Sequence, residues 1–239
     1  YWEGSVSSDH LLQWSSNGLR VRMSGTTHLV AHVTPLLPTQ KLRKAEVLHS
    51  LDDLSKAGAE KVFTSALRPR EQQFFADLGF TLHEELFLLA HNFETPIDFP
   101  TRPSRRFRRS DWEELLKIDS SAFPQFWQFD GLALAEAISA TSKTRIRVDV
   151  QDTPAGFAIT GRSGRMGFLQ RVAVDPRHQR IGIGRSLVAD ALQWSKKRFV
   201  KELLVNTQVS NSNALSLYES MGFIKKYGGL AVLQWTVTS

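Results

Sequence analysis

Apolar and polar positions follow two different periods along the chain, which predicts both strands and helices. Residues 145–150 alternate apolar and polar side chains, as in a strand with one buried face. In residues 185–197 apolar side chains recur every three or four positions, as in a helix with one buried face. Further strands are predicted at 105–109, 154–160, 166–174, 202–207 and 231–237, and further helices at 110–118, 132–139 and 212–221. This order predicts an α/β (α+β) fold in which helices flank a central sheet.

Three prolines lie close together between the two halves of the chain, at Pro96, Pro100 and Pro103. Proline resists both helices and central strands, so this segment is predicted to be a connection. The predicted organisation is an N-terminal domain at 1–95, a Pro-rich linker at 96–103 and a C-terminal domain at 104–239.

A loop with two close glycines separates a predicted strand from a predicted helix. Gly182 and Gly184 let backbone N–H groups approach an anion, and the dipole of the following helix favours negative charge. Arg180 and Arg185 add positive charge. A two-glycine loop is a weak signal alone, because turns before helices often contain glycine. It predicts a phosphate site only together with the motifs that follow it.

The composition excludes several kinds of site. There is no cysteine, which removes disulfides, thiol nucleophiles and cysteine-bound metals and suits a reducing cytosol. The seven histidines are scattered, and the pair His28 and His32 lies in a strand-like stretch where a spacing of four does not converge on one metal. We therefore predict no metal site.

Charge and hydropathy bear on partners and location. The net charge of +6 and the pI of about 9.7 favour an anionic partner, such as a phosphorylated cofactor, an acidic peptide or RNA. The densest basic run is 105–109, where a solvated edge is favoured over a nucleic-acid contact because it contains one aromatic side chain, Phe107. No apolar run approaches the roughly 20 residues that span a bilayer, and no signal peptide is recognisable at the start. A cytoplasmic protein without membrane contact is predicted.

Three stretches in the second half together resemble the GCN5-related N-acetyltransferase (GNAT) superfamily. They are the strand at 169–176, the loop QRIGIG at 179–184 and the run NSNALSLYESMGF at 211–223. The loop is similar to the family's R/Q-x-x-G-x-G/A motif, and the run is similar to its N-x-x-A-x-x-L-Y-x-x-x-G-F region. The resemblance covers about 104–239 and is nearest to the ribosomal-protein alanine N-acetyltransferases.

The resemblance implies a GNAT fold, with a mixed, mostly antiparallel sheet, that binds acetyl-coenzyme A (acetyl-CoA). The pyrophosphate would lie on the glycine loop, and the pantetheine arm would pair with the end of the preceding strand, where that strand splays from its neighbour. The cofactor-binding residues so implied are Val172, Ala173, Val174, Gln179, Arg180, Ile181, Gly182, Ile183, Gly184, Arg185, Ser186 and Asn211.

The same resemblance assigns the acid of the reaction. Tyr218 occupies the position of the family's general acid, which protonates the departing thiolate, although a tyrosine packed on the core is the ordinary alternative. Asn211 matches a cofactor-contacting residue, and its ordinary alternative is a helix N-cap. The backbone N–H of Val172 is a candidate donor to the oxyanion.

The general base is open at this point. Asn206 stands where related enzymes often carry a glutamate, and an amide cannot take up a proton at neutral pH. The amine could arrive neutral, a water chain could remove the proton, or Asp119 or Asp130 could act as the base. Gln170 is a candidate for orienting a water or the amine, with a surface strand position as its alternative.

The resemblance predicts an N-acetyltransferase whose acceptor is a protein N-terminal α-amine or a small-molecule amine. Phe126 and Trp127 fall in the segment that lines the acceptor side in the family, although core packing explains them equally well. The alternative function is a non-catalytic acyl-CoA sensor, or a basic scaffold that binds the ribosome or RNA.

The first half repeats part of the second. Residues 76–80 (ADLGF) follow the pattern of 219–223 (ESMGF). No glycine occurs between Gly25 and Gly58, where the phosphate loop would lie. The alignment places Phe75 opposite Tyr218 and Arg68 opposite Asn211. It predicts a degenerate, incomplete GNAT-like copy that lacks a cofactor site.

Overall fold

The computed structural model describes residues 12–16, 18–24 and 29–237. The chain forms two compact units. The first contains residues up to 87 together with the chain from 227 onward, and the second contains residues 88–226. The boundaries therefore differ from the predicted connection at 96–103, which lies inside the second unit.

The first unit is a sheet with two helices. Its strands β1 to β3 form an antiparallel series, β3 pairs in parallel with β4, and β12 pairs in antiparallel fashion with both β4 and β5. The elements are β1 Leu12–Ser16, β2 Leu19–Ser24, β3 Leu29–Pro35, α1 Lys44–Lys56, β4 Ala59–Thr64, α2 Pro69–Ala76, the first part of β5 Thr81–His91, and β12 Leu230–Thr236.

The core of the first unit forms where the apolar stripe of α1 meets the sheet. Val47, Leu51 and Leu54 are buried on one side of this helix, as expected from a spacing of three to four residues. Leu233 on β12 belongs to the same core. Strand β12, the last in the described part of the chain, thus completes the unit that contains β1.

The second unit, like the first, combines a mixed sheet with helices. Strands β6 to β9 are antiparallel to one another, β9 is parallel to β10, and the short β11 pairs with the end of β5. The elements are β6 Ser104–Arg106, α3 Trp112–Ala122, α4 Gly131–Ser139, β7 Lys143–Val150, β8 Pro154–Ser163, β9 Met166–Val174, α5 Ile183–Lys196, β10 Glu202–Gln208, α6 Ser212–Ser220 and β11 Ile224–Lys225. The predicted fold, a mixed sheet flanked by helices, is confirmed.

Helix α5 is fixed to the sheet by apolar contacts and by one buried ion pair. Its buried side includes Leu187, Val188 and Leu192. Arg145 on β7 donates two hydrogen bonds to Asp190 on α5, each 2.8 Å long. The helix begins two residues before the predicted start, and this places the glycine loop at its N-terminus.

His91 at the end of β5 is fully buried and joins two turns of the second unit. Its Nδ1 accepts a hydrogen bond from the N–H of Phe93 (3.0 Å), so the neutral ring carries its proton on Nε2, 3.2 Å from Thr95 Oγ1. A methyl group on Gly222 would lie 2.6 Å from that Oγ1, so the turn after α6 packs directly on this pair. Burial lowers the pKa of His91, and the charge of Lys196 lowers it further.

Among the described residues, no helix has the length and apolar character needed to cross a membrane.

Candidate functional site

Strands β9 and β10 are paired at one end and diverge at the other. Their parallel pairing is confined to Met166–Glu202, Gly167–Leu203 and Phe168–Leu204. Beyond these pairs β9 continues along β8 alone, and β10 continues to Gln208. The backbone edge of 169–174 is left without a β10 partner, as the predicted splay requires. An unpaired strand edge of this kind can accept an extended ligand.

A β-bulge interrupts β9 at the start of this free edge. Arg171 pairs with Ile159 and Leu169 pairs with Thr160, so Gln170 is the extra residue of the bulge. Its side-chain Oε1 is buried and lacks a hydrogen-bond partner among the described residues. A bulge bends the strand and re-aims the neighbouring side chains.

Arg171, which follows the bulge, anchors the aromatic segment to the sheet. Its Nε and Nη2 donate to Asp119 at 2.6 and 2.7 Å, and Nη2 also donates to the carbonyl of Trp127 at 2.6 Å. The guanidinium lies over the rings of Phe123 and Phe129, 3.5 and 4.0 Å from their centroids. The segment that contains Phe126 and Trp127 is therefore held against the strand.

The two aspartates predicted as candidate bases, Asp119 and Asp130, both accept hydrogen bonds from nearby groups of the chain. Asp119 is 1% exposed and also accepts the N–H of Phe129 at 2.6 Å, so its oxygens are engaged in a buried ion pair. Asp130 is the N-cap of α4 and accepts the N–H of Ala133 at 2.7 Å. Both carboxylates thus have structural partners, and the oxygens of Asp119 accept from Arg171 and from the N–H of Phe129.

The glycine loop presents unclaimed backbone donors. Gly182 adopts a left-handed conformation (φ 90°) as the N-cap of α5, and Arg180 is also left-handed (φ 66°). Ser186 is the first amide of the helix with a partner, the carbonyl of Gly182 at 3.0 Å. Within the described residues, the N–H groups of 182–185 donate to no acceptor. Four adjacent donors at a positive helix end are suited to bind an anion, so residues 182–185 are the candidate anion site.

The loop meets β9 and α6 at Gly184. A methyl group on Gly184 would lie 3.5 Å from Leu217 Cδ2 and 3.8 Å from Val174 Cγ2. The free edge of β9, the anion site and the helix that carries Tyr218 therefore converge at this glycine.

Several predicted loop side chains have other partners. Ser186 Oγ exchanges hydrogen bonds with the backbone of Arg102, and Arg185 pairs with Asp98 at 2.8 Å. Gln179 donates to the carbonyl of Val174 at 3.3 Å. Arg180 is exposed, and no side chain of the described chain pairs with it. Its charge remains available to a ligand.

Tyr218 lies on α6 with 6% of its surface exposed, and its ring packs against Phe223 at a centroid distance of 5.6 Å. Burial raises the pKa of its phenol to about 12, against a smaller lowering by the charge of Arg171. The phenol is therefore protonated at neutral pH and can only donate a proton. This is the protonation state that a general acid needs.

Asn211 and Asn206 differ in their surroundings. Asn211 is the N-cap of α6, and its side-chain oxygen accepts the N–H of Ala214 at 3.1 Å. Asn206 lies on the part of β10 that has diverged from β9, and it is exposed. Phe126 and Trp127 are half-buried and pack edge to face at 5.1 Å.

The sequence predicts no metal site. Among the described residues, one group of His and Asp side chains lies close enough together to hold a metal ion. His49, Asp52 and Asp53 lie together on α1 and are all exposed. His49 Nε2 is 3.6 Å from Asp53, and Asp52 binds Lys56. His28 lies outside the described residues. The absence of a metal site stays a prediction.

Comparison with known proteins identifies the family of this site. The profile of the Acetyltransferase (GNAT) family matches residues 112–223. A ribosomal protein bS18-alanine N-acetyltransferase from Salmonella typhimurium is 31% identical over 116 residues, which are 44% of this chain and 77% of that protein. The chain belongs to the GNAT family. The predicted membership is confirmed, as is the resemblance to the ribosomal-protein alanine N-acetyltransferases.

Another curated relative of this GNAT chain matches a shorter stretch, and a solved structure shares the fold over most of the chain. The ribosomal protein bS18-alanine N-acetyltransferase of Escherichia coli K12 is 42% identical over 69 residues, which are 29% of this chain and 47% of that protein. The chain thus spans about half the length of that relative. A tandem GNAT protein from the clavulanic acid biosynthesis pathway shares the fold over 92% of this chain and 79% of its own, with a TM-score of 0.67 at 11% identity.

Two side chains that contact the candidate site, Arg171 and Arg102, were not predicted as part of it. Arg171 is a charged residue inside a mostly apolar strand, and that unusual position was the signal that could have revealed it. Arg102 lies in the Pro-rich segment, where no periodic pattern marks a contact with the glycine loop.

Proposed function

We propose that this GNAT chain binds acetyl-CoA and transfers its acetyl group to an amine by direct attack. One observation carries the proposal: four unclaimed N–H groups at the start of α5 lie beside the free edge of β9 and the helix of Tyr218. A pyrophosphate matches the donors, an extended arm matches the edge, and a protonated phenol matches a thiolate leaving group.

The cofactor would lie along two elements. Its pyrophosphate would accept from the amides of Gly182 to Arg185, with the exposed guanidinium of Arg180 nearby. Its pantetheine arm would pair with the backbone of Val172, Ala173 and Val174, as an added strand pairs with a sheet edge. Asn211 keeps an amide group that its capping bond does not use.

Each residue of the cleft has a distinct task in the transfer. The nitrogen of the acceptor forms a bond to the thioester carbonyl carbon, and the N–H of Val172 is the proposed donor to the resulting oxyanion. The carbon–sulfur bond then breaks with its electron pair on sulfur. Tyr218 gives its proton to that sulfur and regains one from solvent. The acceptor nitrogen releases one proton, so the exchange balances.

The surroundings of the cleft favour an amine that loses its proton easily. Asn206 cannot act as a base, and Asp119 is engaged with Arg171. At pH 7.5 roughly a third of protein α-amines are neutral, against about 0.1% of lysine side chains. Because neither of these two positions offers a free base, the site suits an α-amine, and a small amine of low pKa is the second choice. The ribosomal-protein acetyltransferase relatives support the α-amine.

A thiol-release assay tests the proposal. Acetyl-CoA would be incubated with peptides that have a free α-amine, the same peptides blocked at the N-terminus but containing lysine, and small amines of graded pKa. We expect release of free thiol with the free α-amine peptides and none with the blocked ones. Tight CoA binding without thiol release across the whole panel would instead support the acyl-CoA sensor, which the comparisons do not favour.

We further propose that the first unit is a degenerate GNAT copy. Arg68 is the N-cap of α2 as Asn211 is of α6, and Gly79 and Gly222 follow those helices with φ of 88° and 85°. Phe75, opposite Tyr218, is fully buried. A cytoplasmic location and the lack of a nucleic-acid partner stay predictions.

A further inference from the structure

Arg102 lies in the Pro-rich segment, immediately before the second unit's first strand, and reaches the glycine loop with its side chain. Its Nη1 donates to the carbonyl of Ile181 at 3.4 Å, and its Nε donates to Asp149 at 3.4 Å. The Arg102 side chain is 24% exposed, and that of Asp149 is 1% exposed. A buried carboxylate thus fixes a guanidinium against the loop that binds anions.

The backbone of Arg102 holds the loop from its other side. Its N–H donates to Ser186 Oγ at 3.0 Å, and the same hydroxyl contacts its carbonyl at 3.2 Å. Arg102 therefore contacts the residue before Gly182 and the residue after Arg185. In the sequence, these two contacts lie directly before and directly after the four amides, 182–185, that have no acceptor.

The contact with Ile181 sets the direction of an amide. The peptide bonds of the described residues are all trans, so the C=O of Ile181 and the N–H of Gly182 point in opposite directions. When Arg102 binds that carbonyl, the N–H of Gly182 must point away from Arg102. Gly182 has a left-handed conformation. Because glycine adopts many backbone conformations at little cost, a contact beside it, such as that of Arg102 with Ile181, is needed to keep this one.

We propose that Arg102 is a positioning residue for the cofactor's pyrophosphate, and that the segment 96–103 is part of the cofactor site. Arg102 acts by orienting the amides of the loop, and Asp149 anchors Arg102. The proposal rests on the proposed function, since the anion is the pyrophosphate of CoA. If Arg102 acted only through its positive charge, neither its bond to Asp149 nor the two differently directed N–H groups of its guanidinium would be needed.

The test measures the dissociation constant of CoA by calorimetry for four variants and the wild type. We expect Arg102→Gln to raise it about tenfold, because an orienting contact to a charged donor is lost. Arg102→Lys keeps the charge but lacks the fork, so it should also bind more weakly than the wild type. Asp149→Asn keeps Arg102 but removes its anchor, and it should weaken binding as well. Arg106→Gln removes an exposed charge on the next strand and should change binding less than twofold.

The positioning role would be overturned if Arg102→Lys bound CoA as tightly as the wild type and Asp149→Asn bound it more tightly. An effect of charge alone predicts wild-type affinity for Arg102→Lys and tighter binding for Asp149→Asn, which removes a negative charge. Normal CoA binding by the wild type with unchanged affinity in Arg102→Gln would also overturn it, and would leave the proposed function intact. Absence of CoA binding by the wild type would overturn both.

A second measurement separates positioning from folding. Arg102→Gln leaves the buried carboxylate of Asp149 without its counter-ion, although Gln151 Nε2 still donates to its Oδ1 at 2.7 Å. The double variant Arg102→Gln with Asp149→Asn restores neutrality and should keep the thermal stability of the wild type. Hydrogen exchange of the ligand-free proteins should show faster exchange of the Ser186 amide in the double variant and not in Arg106→Gln. Equal exchange and equal CoA affinity in the stable double variant would contradict the proposal.

Discussion

Tyr218 shows how burial can prepare a side chain for one direction of proton transfer. Its phenol is 6% exposed and its pKa is raised to about 12, so it holds its proton across the neutral range. An acid with so high a pKa donates only when a stronger base forms beside it. In the proposed reaction, a departing thiolate at the open end of β9 would be such a base when its hydrogen-bonding water is excluded.

Tyr218→Phe removes the hydroxyl and keeps the ring that packs on Phe223. We expect the rate of thiol release to fall about 100-fold, as for the loss of a general acid, while the CoA dissociation constant changes less than twofold. Calorimetry and the thiol assay measure the two quantities separately. Equal turnover in variant and wild type would remove Tyr218 from the mechanism.

His91 makes stability depend on pH. Its pKa is lowered from 6.5 by burial and by Lys196, so the unfolded chain binds a proton that the folded chain refuses. The contribution of neutral His91 to the free energy of unfolding is complete above about pH 6.5. It decreases as the pH falls below that value, by at most about 1.4 kcal/mol per pH unit. Urea unfolding at pH 7.5 and 5.5 should show a larger loss for the wild type than for His91→Asn.

His83→Asn is the matched control for that measurement, because His83 lies on the same strand but is exposed. It should keep the pH dependence of the wild type. If His91→Asn kept it too, another group would be responsible for the loss.

At the level of elements, the anion site depends on a backbone conformation at the start of α5. Gly182→Ala places a side chain at φ 90°, which costs roughly 1–2 kcal/mol for a left-handed residue. We expect the loop to relax and the CoA dissociation constant to rise at least tenfold. Unfolding in urea and calorimetry with CoA measure the two effects.

Gly164→Ala places a side chain at another left-handed position, away from the site. Gly164 has φ 57°, and a methyl group there would meet no atom within 4 Å. It should lower the free energy of unfolding by a similar amount and leave CoA binding unchanged. Equal loss of affinity in both variants would mean that destabilisation alone weakens binding.

The elements of the second unit could be predicted because their signals are local. Asn211 caps α6, Gly222 follows it, and Gly182 precedes α5, each in a conformation that the residue type favours. The contacts of Arg171 with Asp119 could not be predicted, because they join positions 52 residues apart and follow from the bulge at Gln170. Register shifts and long-range ion pairs depend on tertiary packing that a single sequence does not display.

For the molecule as a whole, the first unit depends on the last strand of the described chain. Leu233 on β12 is 5% exposed in the core of the first unit. Leu233→Ala should lower the free energy of unfolding by about 2–5 kcal/mol, because it leaves a cavity in that core. Hydrogen exchange should become faster in α1 and β4.

Leu48→Ala on α1 is the matched substitution, since Leu48 is 48% exposed. It should change the free energy of unfolding by less than about 0.5 kcal/mol. Similar losses in the two variants would contradict the assignment of β12 to the core of the first unit.

The return of β12 to the first unit sets an order of events during translation. The ribosome synthesises residues 29–87 before the second unit, but β4 and β5 lack their common neighbour until residues 230–236 have emerged. Every residue of the second unit is made in between. The parts of β4 and β5 that pair with β12 are therefore made before the second unit but are joined by β12 only after it, and until then their edges are open to a chaperone or to another nascent chain.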